Sequence, residues 1–240
     1  MTNSAPKQAM ILAAGLGTRM RPLTDSLPKP LVEVAGKPLI DYAIEGLERE
    51  GIEKIVVNVS YMADKIVQYL KGRYSAELLF SYEDAPLETG GGIAKALHFF
   101  DDKPFFTVNS DVIWIDQGAS AIQRMSEMWD NSLDALLLLH PTKDAPGYEG
   151  KGDFFADGQG NLTRRTPEGE APYIYTGIQL LHPRMFVGCP EGKFSINLLY
   201  NQAMQSVPPR IRGLVHNGAL LNVGDPEGKR LADEYMYKNR

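Results

Sequence analysis

The sequence predicts an α/β fold in which a mostly parallel central sheet carries helices on both faces, and three observations lead there. Apolar runs of strand length alternate with longer segments of helical period. The first run, Ala9–Ala13, is apolar throughout, as expected of a strand buried on both sides. The β-α-β-α rhythm holds to about residue 140, which places crossover helices between parallel strands.

The elements follow in order. After the first strand, residues 38–50 carry Leu39, Ile40, Ala43, Ile44 and Leu47 at helical spacing behind a proline suited to a first turn, and Gly51 ends the helix. Lys54–Val59 predicts the second strand, Met62–Leu70 a helix and Glu77–Tyr82 the third strand. A short helix over Gly92–Phe99 precedes a fourth strand, Phe105–Asn109; a helix over Gln117–Trp129 precedes Ala135–His140. Beyond this the rhythm loosens. Pro141–Gly152 is a polar loop, and Asp153–Ala156 and Asn161–Arg165 flank the turn residues Asp157-Gly158-Gln159-Gly160 as a hairpin. Tyr173–Leu181 and Leu220–Val223 predict strands, and Ser195–Gln205 and Pro226–Lys238 helices. There is no internal repeat and no long linker. The chain is therefore expected to be one domain over 1–240, with a nucleotide-binding part at about 8–140 and a sugar-binding elaboration at about 141–225.

Composition narrows the function. In 240 residues, 25 Lys and Arg face 30 Asp and Glu, a net charge of −5 without the basic stripe of a nucleic-acid binder. An anionic ligand must then be met by a few local cations. The lone Cys189 can form neither an internal disulfide nor a zinc site. The polar start, Met1–Lys7, is not followed by a signal-peptide apolar region, and no run has the length of a membrane span. A cytoplasmic protein acting without nucleic acid or membrane, as a monomer or small homo-oligomer, is expected. His98, His140, His182 and His216 are scattered and read as structural.

The richest segment runs from Leu12, Ala13 and Ala14 through Gly15, Gly17, Thr18, Arg19, Arg21 and Thr24 to Pro28-Lys29-Pro30-Leu31. It leaves the carboxyl end of the first strand, where open α/β sheets bind ligands. Gly15 and Gly17 let backbone N–H groups approach phosphate oxygens. Arg19, Arg21 and Lys29 add cations, with no acid between Gly15 and Thr24, and flanking prolines stiffen Lys29. A nucleoside triphosphate suits this arrangement. The segment is neither a Walker loop nor a dinucleotide fingerprint, since Met20 stands at the third glycine position.

Over residues 12–31 the chain resembles the sugar-1-phosphate nucleotidyltransferases, whose signature is roughly L-x-A-G-x-G-T-R-x-x-P-x-T-x-x-x-P-K-P-L. The resemblance implies their Rossmann-like three-layer α/β/α fold. It further implies that the stretch from Leu12 to Thr18 cradles the triphosphate, that Arg19 grips its β/γ phosphates and that Lys29 stabilises charge around the α-phosphorus. Asp111, closing the fourth strand in Asn109-Ser110-Asp111, matches the family's metal-binding Asp and would hold Mg²⁺ or Mn²⁺; Asn109 falls on the sugar side. Glu88, Gly90 and Gly91, in Pro86-Leu87-Glu88-Thr89-Gly90-Gly91-Gly92, match the segment that meets the base, and Gly152, Thr176 and Gly177 match neighbourhoods lining the sugar pocket.

Where many relatives read W-x-D-x-G-T, with the Asp as second metal ligand, this chain has Leu220, Asn222 and Asp225, so Asn222 and Asp225 are the candidates for that position. The segments Pro86–Ile93, Val108–Val112, Gly152–Phe154 and Tyr175–Ile178 with His182-Pro183 are most similar to the branch that uridylylates N-acetylmuramate 1-phosphate in cell-wall recycling. UTP and a sugar 1-phosphate would then give UDP-sugar and pyrophosphate. A GTP-dependent guanylyltransferase for mannose or heptose 1-phosphate is the alternative within the family. A nucleotide sensor without turnover, which Asn222 favours, is the alternative outside it.

Overall fold

The computed structural model describes residues 5–239; the polar residues 1–4 and the last residue lie outside it. The strands are β1 (Gln8–Leu12), β2 (Glu33–Val34), β3 (Lys37–Pro38), β4 (Lys54–Val59), β5 (Glu77–Tyr82), β6 (Phe105–Asn109), β7 (Val112–Asp116), β8 (Ala135–Pro141), β9 (Phe154–Ala156), β10 (Leu162–Arg164), β11 (Tyr173–Leu181), β12 (Ile211–Val215) and β13 (Gly218–Asn222). The helices are α1 (Leu39–Arg49), α2 (Ala63–Leu70), α3 (Glu88–Ala96), α4 (Ala121–Met128), α5 (Asn197–Gln205) and α6 (Pro226–Lys238). None of the described helices is long and apolar enough to cross a membrane.

The sheet's centre is parallel. β5, β4, β1 and β6 lie side by side in one direction. β11 then runs antiparallel to both β6 and β8, and β12 pairs parallel with β8. The β9–β10 hairpin attaches at Tyr173, the start of β11. Along each central strand, successive side chains enter opposite cores, as the two-residue period requires. Ala9 and Ile11 pack with α1, α2 and α4; Met10 packs on the other face with α3 and α5. Val56 and Val57, and Phe105 and Phe106, divide in the same way. This gives the three layers. A third core gathers β2, β7, β13, α1 and α6 into a small lobe around Met20 and Val223.

Several features depart from the sequence expectation, the short β2–β3 hairpin among them. β7 and β13 form a separate antiparallel ribbon pairing Asn222 with Val112; β7 falls between the fourth expected strand and the helix expected from Gln117, in residues given no element, and α4 begins after a Ser120 cap. β12 was not foreseen. α3 starts at Glu88, so Gly90 and Gly91 lie inside the helix, whereas the sequence placed them ahead of one that begins at Gly92.

The strand order fixes where a ligand can sit. From β1 the chain moves outward to β4 and β5, then returns to place β6 on the other side of β1. The carboxyl ends of β1 and β6 therefore flank a reversal of strand order, where crevices open in such sheets. Leu12 and Asn109 are register partners there, and the Ser110 N–H donates to the Leu12 carbonyl at 3.1 Å.

Candidate active site

A cavity of about 310 Å³ opens at this reversal, lined by the loop after β1, by Asn109–Asp111 and by the start of α3. The loop after β1 closes on itself. Gly17 adopts φ +63°, and the Thr24 hydroxyl, 1% exposed, donates to its carbonyl at 2.8 Å. A Cβ on Gly17 would lie 3.0 Å from the Lys29 Cβ and 3.1 Å from the Thr24 Cγ2. Gly17, Thr24 and Lys29 are thus one packed unit, which gives their spacing a mechanical reason. Gly15 differs. Its φ is not left-handed and a Cβ there would meet nothing within 4 Å. The fold does not require that glycine, and it lines the cavity.

The three loop cations have separate situations. Arg21 pairs with Asp25 at 3.3 Å on the surface. The Lys29 ammonium holds the Asp111 carboxylate, joining the β1 loop to the end of β6, with both side chains mostly buried. Arg19 lines the cavity and makes no ion pair among the described residues. Leu12, Ala13, Ala14, Thr18, Glu88 and Asn109 also line it, as the sequence expected.

Two lining residues were missed. Asn58, at the end of β4, accepts from the Ala13 N–H at 2.7 Å and donates to Glu83 at 2.7 Å; Glu83 also accepts from the Leu87 N–H at 2.9 Å. Both are about 5% exposed or less and span the cleft from the β1 loop to the entry of α3. A polar residue inside the apolar run Lys54–Val59 was the available signal.

Several residues expected at the site lie outside the cavity lining. Gly90 and Gly91 do not line the cavity. A Cβ on Gly90 would strike the Phe194 ring, one on Gly91 the Gly192 carbonyl, and the Gly91 N–H is already spent on the Phe194 carbonyl. These glycines seat the 192–194 segment against α3. Gly152, at φ +72°, makes room for the Ala171 carbonyl, and the buried Thr176 hydroxyl donates to the Leu138 carbonyl; neither lines the cavity. Gly177, at φ +85°, leaves space for the Asn109 side chain, so it shapes that residue and lies outside the lining itself. Asp225 caps α6 by accepting from the Gly228 N–H at 2.8 Å and does not line the cavity.

Asn222 is exposed at the end of β13, next to Val223, whose N–H donates to the Asp111 carbonyl at 2.9 Å. The donor set for a cation is therefore one carboxylate, Asp111, with the Asn222 amide nearby. No group of three or more His, Cys, Asp or Glu suited to a metal occurs among the described residues. This set fits a magnesium-like ion, which keeps most of its ligands as waters and phosphate oxygens.

With this geometry in place, comparison with known proteins is decisive. The family model described as Nucleotidyl transferase matches residues 8–152. The chain belongs to this family. It is 40% identical over 238 residues to an N-acetylmuramate alpha-1-phosphate uridylyltransferase of Caulobacter vibrioides, covering 96% of this chain and 97% of that one. Its namesake from Neisseria meningitidis is 35% identical, covering 90% and 93%. Among solved structures, HddC from Yersinia pseudotuberculosis complexed with GMP-PN superposes with a TM-score of 0.76 at 25% identity, over 96% of this chain and 100% of that one. Membership makes this protein a sugar-1-phosphate nucleotidyltransferase, acting on a nucleotide and a sugar phosphate.

Proposed function

We propose that the protein transfers the uridylyl group of UTP to a sugar 1-phosphate, N-acetylmuramate 1-phosphate for preference, in cytoplasmic recycling of cell-wall peptidoglycan. The observation that carries this reading is likeness over nearly the whole length to two uridylyltransferases of that sugar phosphate. On this reading the chain acts as one domain, residues 8–140 serving the nucleotide and 141–225 the sugar. It works as a monomer or small homo-oligomer and engages neither nucleic acid nor membrane.

The chemistry asks little of the protein beyond charge and position. A phosphate oxygen of the sugar phosphate attacks the α-phosphorus of UTP, a new P–O bond forms, and the α–β bond breaks to release pyrophosphate. The attacking oxygen is already an anion at neutral pH, so no general base is needed. The difficulty is to bring two anions together and to neutralise the charge that develops. Arg19, without an acid partner, meets the β/γ phosphates, and Lys29 reaches the α-phosphate. Backbone groups from Leu12 to Thr18 cradle the chain, Glu88 stands on the base side, and Asn109 faces the sugar phosphate. Asp111 would hold Mg²⁺ or Mn²⁺, which when bound supplies further charge neutralisation on the phosphates.

The second reading, a GTP-dependent guanylyltransferase, is favoured by the likeness to HddC with GMP-PN. Pyrophosphate release over a matrix of nucleoside triphosphates and sugar 1-phosphates decides between the two. UTP with N-acetylmuramate 1-phosphate is expected to give the highest rate. A preference for GTP with mannose or heptose 1-phosphate overturns the assignment, and binding without turnover points to a sensor.

A further inference from the structure

The central sheet has a second cavity, at the opposite end of its strands from the cleft. It encloses about 420 Å³ at the amino ends of β1, β4 and β5, beside the end of α4. Two charge pairs in its wall close on themselves, Lys7 with Glu53 at 2.9 Å and Lys54 with Asp101 at 3.9 Å. Lys103 and Glu77 line it without an ion pair among the described residues. The deeper lining repeats this pattern with neutral groups. Gln8 and Trp129 are each 7% exposed, and neither the Gln8 Oε1 nor the Trp129 Nε1 has a hydrogen-bond partner among the described residues. Leaving a buried polar atom unpaired costs about 1–3 kcal/mol, and one cavity here holds both an open acceptor and an open donor.

The sheet keeps these groups apart. Gln8 falls on the Met10 side of β1 and Glu77 on the Leu79 side of β5, which is the same face, whereas Trp129 packs in the core on the Ile11 side. One ligand reaches both sides by lying across the strand ends. On the first side, Gln8 Oε1 and the Glu77 carboxylate call for a donor and a positive charge. Trp129 Nε1 and the Lys103 ammonium call for an acceptor and a negative charge. We propose that this cavity binds a short zwitterionic peptide, its amino end at Gln8 and Glu77 and its carboxylate at Trp129 and Lys103. A dipeptide is about 7 Å long when extended, against a strand spacing of about 5 Å, and the cavity has the volume of a small-ligand site. The proposal stands apart from the uridylyl-transfer reading, which concerns the other end of the strands.

The chain has two tryptophans, Trp114 in β7 and Trp129 at the cavity, so a proton–nitrogen correlation spectrum shows two indole N–H resonances, which Trp114→Phe assigns. Titration of alanyl-alanine into the full chain is expected to move the Trp129 resonance to saturation and to leave that of Trp114 in place. Glu77→Gln and Lys103→Met are each expected to weaken binding about fivefold, the upper worth of one exposed charge pair. Gln8→Met is expected to weaken it about tenfold while keeping or raising the melting midpoint, because it removes an unpaired buried oxygen. A Trp129 resonance that stays put up to tens of millimolar peptide overturns the proposal. So does equal binding of the peptide with its amine acetylated and its carboxyl amidated, or a Gln8→Met protein that melts lower and binds the peptide like the parent.

Discussion

Gly15 and Gly17 stand two residues apart in one loop, yet the structure assigns them opposite reasons, and alanine at each separates those reasons. At Gly17 the backbone is left-handed, which costs a Cβ-bearing residue about 1–2 kcal/mol. The new methyl would also press on Lys29 and Thr24 at 3.0 and 3.1 Å, and overpacking of this kind adds about 1–3 kcal/mol. A loss of about 3 kcal/mol lowers the thermal midpoint of a chain this size by about 6–12 °C. At Gly15 neither penalty applies, so Gly15→Ala is expected to keep its midpoint or to gain about 0.4–1 kcal/mol through the unfolded chain. Its cost falls on the ligand. A methyl in the cavity holds a phosphate away from the backbone donors, and losing one hydrogen bond to a charged group is worth about 1.5–3 kcal/mol, or about 10- to 150-fold in affinity for UTP. Calorimetric titration of UTP into both variants, beside their melting curves, is the assay. A folded Gly15→Ala protein that binds UTP as tightly as the parent would refute the claim that phosphate lies against this loop.

Other consequences follow from the same geometry. Lys29→Met keeps the stem that packs on Gly17 and removes the charge; kcat is expected to fall by about 10²–10³, with a stability loss of about 1–3 kcal/mol from leaving the mostly buried Asp111 without its partner, as read by pyrophosphate release and denaturation. Glu83→Gln turns one oxygen that accepts from Asn58 or Leu87 into a donor facing a donor, in a nearly sealed site; urea titration is expected to show a loss of about 1–3 kcal/mol. His216 has a side chain sealed from solvent, and that burial holds its imidazole below the ordinary 6.5 despite Asp116 at 3.7 Å. Its folded value is the lower one, so the unfolded chain takes up the proton first. Stability is therefore full above about pH 6.5 and erodes as pH falls below it; burial of His182 acts in the same direction. Melting midpoints between pH 7 and 5 are expected to slope less in His216→Gln than in the parent.

The parallel centre of the fold was legible because its strands are buried on both faces and so are written as mostly apolar runs, Lys54–Val59 and Phe105–Asn109 among them. β7 was not, because Val112–Asp116 lies on a two-stranded ribbon beside the main sheet. Its Trp114 fits against Gly46 of α1, and its Asp116 caps the turn into α4, so its pattern reports a local lobe and breaks the rhythm of the layers. β12 was hidden for a related reason. Ile211–Val215 alternates buried and half-buried positions and takes its place in the sheet by pairing with β8, residues far back in the chain.

The site divides along a different line. Arg19 and Lys29 were readable from the signature over residues 12–31 and Asp111 from its place at the carboxyl end of a strand, and all three do line the cavity. Glycines carry no such information. A glycine letter says that a side chain is excluded and is silent on what excludes it. At Gly15 that is open space, at Gly17 the loop's own threonine and lysine, at Gly90 a phenylalanine ring, at Gly152 a carbonyl. Only coordinates separate these cases, and of the four, Gly15 alone leaves room that the protein does not itself fill. The same reasoning accounts for Asn58 and Glu83, whose polar letters sat at strand ends beside the cleft but whose hydrogen bonds join segments that sequence distance keeps apart. The loop after β1 is therefore positioned from the ends of β4 and β5 as much as by its own motif, and substitutions at Asn58 and Glu83 are expected to change the affinity for UTP.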